Sequence, residues 1–425
     1  MDTYAQALNI GIPFFILLIW LEAFIAKRKG IIINKGADTI SSLSSGITNV
    51  VKDVLGLSIA IISYSWLVDH LALFTISTTW MVYIIAFVVL DFAGYWMHRL
   101  EHEVNVLWNR HIIHHSSEEF NLACALRQNI SAVFSFIALF MIPAALLGVP
   151  GNVFALIAPL HLFAQFWYHT RLIDKMGWLE YILVTPSHHR VHHAINKEYL
   201  DKNYGQIFIV WDKLFGTFQP ELESVPPVYG VKRPVKTWNP ILINFQHIWQ
   251  IIRDAWHAKN WWDKIRIWFM PTGWRPEDVA THYPISIIDD VYRMEKYDNK
   301  PSLDLLIFGW TQLAFTLGLM FWLFNHLAAI GMPDILMYGL FIFISVYSYT
   351  SLFDQNRWAV GIELLRFILG FTLLIRQGGD WFGLKYIWSA GPYIIGTFLI
   401  LSMGYVIYVQ MTQPAAKKGS FTSAQ

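Results

Sequence analysis

The stretch MVYIIAFVVLDFAGYWMHRLEHEVNVLWNRHIIHH, residues 81–115, joins a long apolar run to a group of five histidines. The run from Met81 to Met97 contains one charged residue, Asp91, and it has the length of a membrane-spanning helix, roughly 17–25 residues. The histidines follow at the point where such a helix leaves the bilayer. This stretch therefore predicts a helical membrane protein with a concentration of imidazoles at the membrane surface.

The composition of the whole chain agrees with a membrane protein. Of the 425 residues 55% are hydrophobic and only 14% are charged, whereas soluble domains carry about 25% charged residues. The 20 tryptophans are typical of the aromatic belts at membrane surfaces. A net charge of +1 supplies no basic field for nucleic acid, so that class of partner is excluded. The single Cys124 excludes an intrachain disulfide and any CxxC motif.

Apolar runs of similar length predict about nine membrane spans, and hence an all-α, polytopic membrane protein with a helical cap. The nine runs are Ile10–Ala26, Val54–Leu73, Met81–Met97, Ile130–Leu147, Val153–Tyr168, Leu305–Phe324, Ile335–Leu352, Val360–Ile375 and Trp388–Val409. The fourth and fifth runs are separated only by the turn sequence GVPGN, so they are expected to form a helical hairpin.

Basic residues predict the orientation of these spans. The first run has no basic residue before it and Lys27–Lys29 directly after it, which places its C-terminal end in the cytoplasm and does not fit a cleaved signal peptide. Alternation of the later spans then brings every histidine cluster to the cytoplasmic face. We expect an integral, multi-pass protein whose site faces the cytoplasm, in the plasma membrane of a bacterium or the endoplasmic reticulum of a eukaryote.

The same interpretation of the sequence divides the chain into five regions. These are N-terminal transmembrane helices (1–80), a catalytic region (81–236), a cytoplasmic aromatic-rich interfacial segment (237–302), C-terminal transmembrane helices (303–411) and a disordered tail (412–425). Within the third region, Thr237–Met270 mixes tryptophan, isoleucine and basic residues. This pattern indicates either an amphipathic helix lying in the headgroup layer or a helix packed on the catalytic region.

The spacing of the histidines is more informative than their number. His98 and His102 are four residues apart, and two further motifs have the spacing i, i+3, i+4, which places their members on one face of a helix. The two motifs are His111, His114, His115 and His189, His192, His193. Thr185–Pro186 predicts a helix start before the last motif, and Ser116 with Glu119 predicts a capping box and a new helix after His115.

Packing is a poor explanation for these motifs, because clustered imidazoles need polar partners and repel one another when protonated. A metal ion removes both difficulties by binding neutral rings. Eight motif histidines exceed the three or four ligands of one zinc site, which indicates two ions. Imidazole suits zinc, copper, iron and nickel alike, so the residues leave the metal open.

The remaining histidines have more ordinary explanations. Five isolated histidines are expected to be hydrogen-bonded structural residues, and the same holds for His161 inside the fifth run. The five are His70, His247, His257, His282 and His326. A zinc transporter is the rival class. Transporters place their ligands near the bilayer midplane, whereas these motifs flank the ends of the predicted spans, so transport is disfavoured.

Longer strings around the motifs carry a family resemblance. The chain resembles the fatty acid hydroxylase/sterol desaturase superfamily over Val89–Pro220, and within it the alkylglycerol monooxygenase branch. The closer resemblance rests on Tyr95–Gln128 and Gln165–Glu221, which contain the strings HHSSE, ALRQ, PSHHRVHH, DKNYG and WDKLFGTF. It is weaker beyond Glu221.

The resemblance implies a non-haem centre of two iron ions. The implied ligands are the eight motif histidines together with one more, giving His98, His102, His111, His114, His115, His169, His189, His192 and His193. Glu103 matches an acidic family position, with the implied role of fixing a ligand imidazole; the alternative is a solvated charge at a helix end.

Three other residues near the motifs are candidates for a role at the metal site. His188 precedes the third motif and is a candidate partner of a ligand. Gln165 stands where fatty acid 2-hydroxylases carry a histidine, so either it replaces a ligand or this branch uses fewer. For Asp91 a partner of a ligand is favoured over a residue that packs helices.

The resemblance also implies a reaction. It is the O2-dependent hydroxylation of the carbon next to the ether oxygen of an alkylglycerol lipid, which yields a fatty aldehyde and a glycerol derivative. The implied electron donor is tetrahydrobiopterin or a related tetrahydropteridine. The alternative within the superfamily is a fatty acid or sterol hydroxylase or desaturase that takes electrons from a protein.

Overall fold

The computed structural model describes residues 2–412, so the tail prediction for 412–425 lies outside the described residues except for Thr412. In chain order the helices are α1 (Asp2–Arg28), α2 (Gly36–Val54), α3 (Tyr64–Leu71), α4 (Trp80–Glu103), α5 (Asn105–His115), α6 (Ile142–Leu146), α7 (Gly151–Phe163), α8 (Pro186–His192), α9 (Val210–Phe215), α10 (Pro240–His257), α11 (Trp261–Arg266), α12 (Glu277–His282), α13 (Leu303–Asn325), α14 (Leu327–Ile330), α15 (Asp334–Phe353), α16 (Ala359–Arg376), α17 (Leu384–Ile387) and α18 (Gly391–Thr412). Two strands of two residues, β1 (Ile59–Ala60) and β2 (Phe134–Ser135), pair in parallel. The described chain is therefore mostly helical.

Five of these helices are long and apolar enough to cross a membrane, namely α1, α4, α13, α15 and α18. They agree with the first, third, sixth, seventh and ninth predicted runs. Multiple long apolar helices indicate an integral, multi-pass membrane protein. Nine continuous spans are not found in the described residues.

The second and fourth predicted runs are not helices of membrane length. Val54–Leu73 contains the end of α2, then β1 and the eight-residue α3, while Ile130–Leu147 contains β2, a 3-10 turn and α6. The two segments bond to each other, since the Ile59 N–H donates to Val133 O (2.7 Å) and the Ile61 N–H donates to Ser135 O (2.9 Å). Non-helical backbone in an apolar setting must be satisfied in this way. The length of an apolar run does not by itself distinguish such a paired, non-helical segment from a helix.

The fifth and eighth predicted runs are helical, but they are not among the five helices that are long and apolar enough to cross a membrane. The fifth is the 13-residue α7. The eighth is α16, which carries Glu363 and Arg366 as a buried pair, with Arg366 Nη2 at 3.1 Å from Glu363 Oε1.

Two cores hold the helices together. The larger core lies among α2, α13, α15, α16 and α18, and includes the fully buried Met320, Phe341 and Leu399. The smaller core packs α4 against α7 around the fully buried Ala86 and Val153. Because the second core fixes α4, it also fixes the end of α4 that carries the first histidine motif.

A sharp break between α4 and α5 brings two histidine motifs together. Val104 is extended (φ −108°, ψ 123°) and pairs with Pro271, and the Asn105 N–H donates to Met270 O (2.9 Å). A distant segment thus satisfies backbone groups that the break exposes. The chain turns so that α5 runs back beside the end of α4.

The predicted helix starts have opposite outcomes. The start at Thr185–Pro186 is confirmed, since α8 begins with Pro186 in its first turn and Thr185 is extended. The capping-box prediction is wrong, because a turn and a 3-10 segment, Cys124–Leu126, follow α5 in place of a helix. The Ser116 hydroxyl donates back to Ile113 O (2.6 Å), so it is not available to cap a following helix.

Candidate metal centre

The nine histidines that the sequence analysis selected lie in two groups. The five-histidine cluster consists of His98, His102, His111, His115 and His192, and the four-histidine cluster of His114, His169, His189 and His193. Within each cluster the candidate ligand nitrogens all lie within 4.8 Å of one another. Neither cluster includes a carboxylate or a thiol from the described residues.

The distances between nitrogens have the size that a shared ion requires. In the five-histidine cluster, the Nε2 atoms of His98 and His111 are 2.9 Å apart, and those of His102 and His115 are 3.1 Å apart. Two nitrogens bound to one ion at about 2.1 Å and at right angles lie about 3 Å from each other. The spacing therefore fits imidazoles that converge on a common point.

Backbone carbonyls fix the orientation of several rings. Nδ1–H donates to Tyr204 O in His98 (2.8 Å) and to Lys202 O in His192 (3.0 Å). Since a carbonyl oxygen only accepts, Nδ1 must carry the proton of a neutral ring, and Nε2 keeps its lone pair for the cluster.

His114 and His169 show most clearly why the four-histidine cluster fits a cation. Their Nδ1–H groups donate to Arg127 O (3.3 Å) and Gln165 O (3.1 Å), so on neutral rings both Nε2 atoms are unprotonated. These two Nε2 atoms nevertheless lie only 3.3 Å apart. Two lone pairs at this distance repel each other, and a cation bound by both converts the repulsion into coordination.

Burial keeps these rings in the metal-binding form. Desolvation lowers the pKa of His114 to about 3 and holds the pKa values of His169, His189 and His193 well below the ordinary value. The rings are therefore neutral at physiological pH. Neutral imidazole is the form that binds zinc, copper, iron or nickel, so the donor set fits two transition-metal ions.

Two acidic residues, Glu101 and Glu103, lie at the end of α4 near the five-histidine cluster. Glu103 accepts a hydrogen bond from Arg99 Nε (2.9 Å), its side chain is 42% exposed, and it has no hydrogen bond to a cluster histidine. Its role in fixing a ligand stays a prediction. Glu101 lies closer, with Oε2 at 3.6 Å from His111 Nδ1, and it is held by Arg110 Nε (2.8 Å).

Asp91 does not contact a cluster histidine, so its expected role beside a ligand is replaced by a packing role. The fully buried carboxylate accepts from His161 Nε2 (2.8 Å), Trp211 Nε1 (2.8 Å) and two backbone N–H groups of the loop after Tyr204. The side-chain amide of Gln165 bonds to His161 Nδ1 (3.0 Å). His161 and Gln165 therefore belong to this network and not to the clusters.

The other histidines also lie outside both clusters. His188 packs its ring against Phe218 at 5.5 Å between centroids, and its Nδ1 has no hydrogen-bond partner among the described residues. The five isolated histidines are absent from both clusters, as expected of structural residues.

Two buried charges that the sequence analysis did not select hold the carbonyls in place. Asp212 accepts from the Tyr204 N–H (2.7 Å) and the Gly205 N–H (2.7 Å), which fixes the loop whose carbonyl holds His98. Arg127 pairs with the buried Asp38 (2.6 Å), and its own carbonyl holds His114. These residues lie in the strings WDKLFGTF and ALRQ, so the family strings were the available signal.

The family model and the similar known proteins agree on the family of this chain. Residues 83–217 match the family model "Fatty acid hydroxylase". An alkylglycerol monooxygenase from Homo sapiens is 36% identical over 86% of this chain and 82% of its own length. An alkylglycerol monooxygenase from Danio rerio is 33% identical over 95% of this chain and 89% of its own length. An ornithine lipid hydroxylase from Rhizobium tropici is 35% identical over 32% of this chain and 41% of its own. No solved structure matches the chain.

Proposed function

Because the chain belongs to the alkylglycerol monooxygenase family, within the fatty acid hydroxylases, we propose that it is a membrane-bound diiron monooxygenase acting on alkylglycerol lipids. The observation that carries the proposal is the pair of buried clusters in which unprotonated Nε2 atoms converge at about 3 Å. A multi-pass membrane protein of a lipid-modifying family supports a lipid as the substrate.

The nine cluster histidines would hold the two ions, five around one and four around the other. Iron bound there would supply the activation of O2 that is needed to insert one oxygen atom into an unactivated C–H bond. The chain's own contribution is orientation and exclusion of water. Hydrogen bonds from Nδ1 to Tyr204 O, Lys202 O and Arg127 O aim Nε2 inward, and all nine rings are at least half buried.

The reaction proposed is hydroxylation of the carbon next to the ether oxygen. The product is a hemiacetal, which breaks its C–O bond and gives a fatty aldehyde and a glycerol derivative. One atom of O2 enters the lipid and the other leaves as water, so two electrons and two protons must come from outside. We assign them to tetrahydrobiopterin or a related tetrahydropteridine, which is oxidised to a dihydropteridine.

The site is proposed to face the cytoplasm. Lys27 and Arg28 form the last turn of α1, and basic residues concentrate on the cytoplasmic side of a bilayer. The end of α1 lies beside the clusters, since Glu22 Oε1 accepts from Thr170 Oγ1 (2.6 Å), and Thr170 directly follows His169. The segment between α1 and α4, which includes α2 and α3, must then return the chain across the bilayer, so that α4 ends at the clusters on the same side. A water-soluble electron donor would reach the site from the cytoplasm.

Turnover by purified protein tests the proposal. Iron-loaded protein in detergent is given an alkylglycerol under O2, with and without tetrahydrobiopterin, and fatty aldehyde is measured. We expect aldehyde only when the pteridine is present. No aldehyde from protein that holds two irons would contradict ether cleavage. It would instead favour a fatty acid or sterol hydroxylase or desaturase with a protein donor.

A further inference from the structure

A cavity of about 280 Å³ lies directly against the five-histidine cluster. Its floor is formed by cluster histidines, among them His102, His115 and His192. Trp108 lies beside them, with its ring centroid 5.0 Å from that of His102. A molecule in this cavity would contact the ligands of one ion directly.

The rim of the cavity carries charge. It includes Asp201, whose side chain is 64% exposed, and Lys232. Charged side chains at a mouth favour entry from water over entry from the hydrocarbon of a bilayer. A lipid chain would therefore reach the clusters by another side, and this cavity suits a small water-soluble molecule.

The wall of the cavity contains hydrogen-bonding atoms that the protein does not use. Gln246 Oε1 and Thr272 Oγ1 are buried and have no hydrogen-bond partner in residues 2–412. Buried polar atoms without partners are rare and costly, so such a pair in one cavity suits a ligand that donates hydrogen bonds. The partly buried Arg233 also forms no side-chain hydrogen bond in the described chain and can donate.

Neighbouring polar groups are already paired and form a rigid frame. Asp254 accepts from Arg275 Nε (2.6 Å), Arg275 Nη2 (2.9 Å) and Gln250 Nε2 (2.6 Å), which satisfies the carboxylate. His247 Nε2 bonds to Asn105 O (2.9 Å). The groups left free in the cavity are therefore two acceptors, Gln246 Oε1 and Thr272 Oγ1, and one or two cationic donors. The paired groups around them hold the wall in position.

We propose that this cavity binds the reduced pteridine that supplies the electrons, an inference that rests on the proposed function. The pyrimidine ring of a reduced biopterin is planar and carries N–H donors beside a carbonyl acceptor on one edge. The N–H groups would donate to Gln246 Oε1 and Thr272 Oγ1, and the carbonyl would accept from Arg233. Trp108 and Ile112 supply apolar surface for the rings. The tetrahydropteridine gives up two electrons and two protons beside the five-histidine cluster and leaves as a dihydropteridine.

Binding measurements separate this inference from the proposed function. The probe is 7,8-dihydrobiopterin, titrated calorimetrically into purified protein without O2, so that no turnover is involved. Gln246→Leu and Thr272→Val each remove an acceptor at nearly constant size, and we expect each to weaken binding about fivefold to tenfold, the loss of one hydrogen bond. Gln410→Leu, at an exposed position on α18, is the matched control and should bind as the wild type does.

The outcomes are distinguishable. Unchanged affinity in both variants, with the wild type binding the probe, would overturn the cavity assignment and leave the pteridine-dependent reaction standing. An alkylglycerol that displaces the probe competitively would overturn it in favour of a site for the lipid headgroup. Failure of the wild type to bind the probe would overturn both pteridine proposals. Retention of the wild-type iron content shows that each variant is folded.

Discussion

At the scale of single residues, the centre depends on which nitrogen of each imidazole carries the proton. His98, His192, His114 and His169 each donate Nδ1–H to a backbone carbonyl. This assignment leaves Nε2 free, and for His98 it is made by a loop 106 residues further along the chain. Asp212, which fixes the loop that carries Tyr204, is therefore expected to influence metal binding without being a ligand.

Glu101 is expected to matter more than Glu103. On a helix Glu101 lies about 60° from His98 and Glu103 about 140°, and the structure places Glu101 Oε2 3.6 Å from His111 Nδ1 while Glu103 pairs with Arg99. We predict that Glu101→Gln lowers iron affinity about tenfold or more, as loss of a ligand's partner usually does. Glu103→Gln, the matched control, should change it less than about twofold. Iron content after dialysis against a chelator measures both; the reverse order of effects would restore Glu103 as the partner of a ligand.

The sequence predicted which histidines lie together better than it predicted how they are arranged. Spacing selected eight of the nine histidines that the two clusters contain, and the family resemblance added His169. Spacing could not divide them, because His114 and its neighbour His115 fall in different clusters. That division depends on the break at Val104 and on the loop after α7, which are set by contacts between distant segments.

At the scale of elements, α10 has two faces with different environments. One face, with Gln246, Gln250 and Asp254, lines the cavity beside the five-histidine cluster. The opposite face is apolar and exposed, with Trp249 60% and Trp256 80% exposed. Exposed tryptophans on a helix in a membrane protein are typical of the interface between headgroups and hydrocarbon.

Contacts at the start of α10 fix its level relative to the membrane-length helix α15. Asn239 Nδ2 donates to Ser351 Oγ (3.1 Å) and to Tyr347 O (3.2 Å), both in the last turns of the membrane-length helix α15. The helix therefore begins at the level where α15 ends. This supports the interfacial alternative for Thr237–Met270 over simple packing, and we predict that the tryptophan face lies in the headgroup layer.

A spin label tests the position of α10. Cys124 is 1% exposed, and burial raises the pKa of its thiol to about 12, so an introduced cysteine is labelled selectively. In lipid nanodiscs, a nitroxide on Trp256→Cys should be relaxed more by O2 than by a water-soluble nickel chelate. The label on Glu198→Cys, an exposed position after α8, should show the opposite preference. A preference for the nickel chelate at both positions would place α10 in water.

At the scale of the whole molecule, the helical membrane class was predictable and the number of spans was not. The apolar runs that became α1, α4, α13, α15 and α18 are long, uninterrupted and nearly uncharged. The runs at Val54–Leu73 and Ile130–Leu147 have a similar composition but pair with each other through β1 and β2. Composition measures the affinity of a segment for lipid, whereas backbone pairing between segments depends on the fold.

The proposed reaction requires that one chain hold two iron ions through histidine alone. The most direct measurement is iron content per chain together with Mössbauer spectra of protein loaded with 57Fe. We expect two irons per chain, in two distinguishable nitrogen-rich sites, because one cluster offers five imidazoles and the other four. A single iron per chain, or a stable preference for zinc in both clusters after loading with iron, would contradict it.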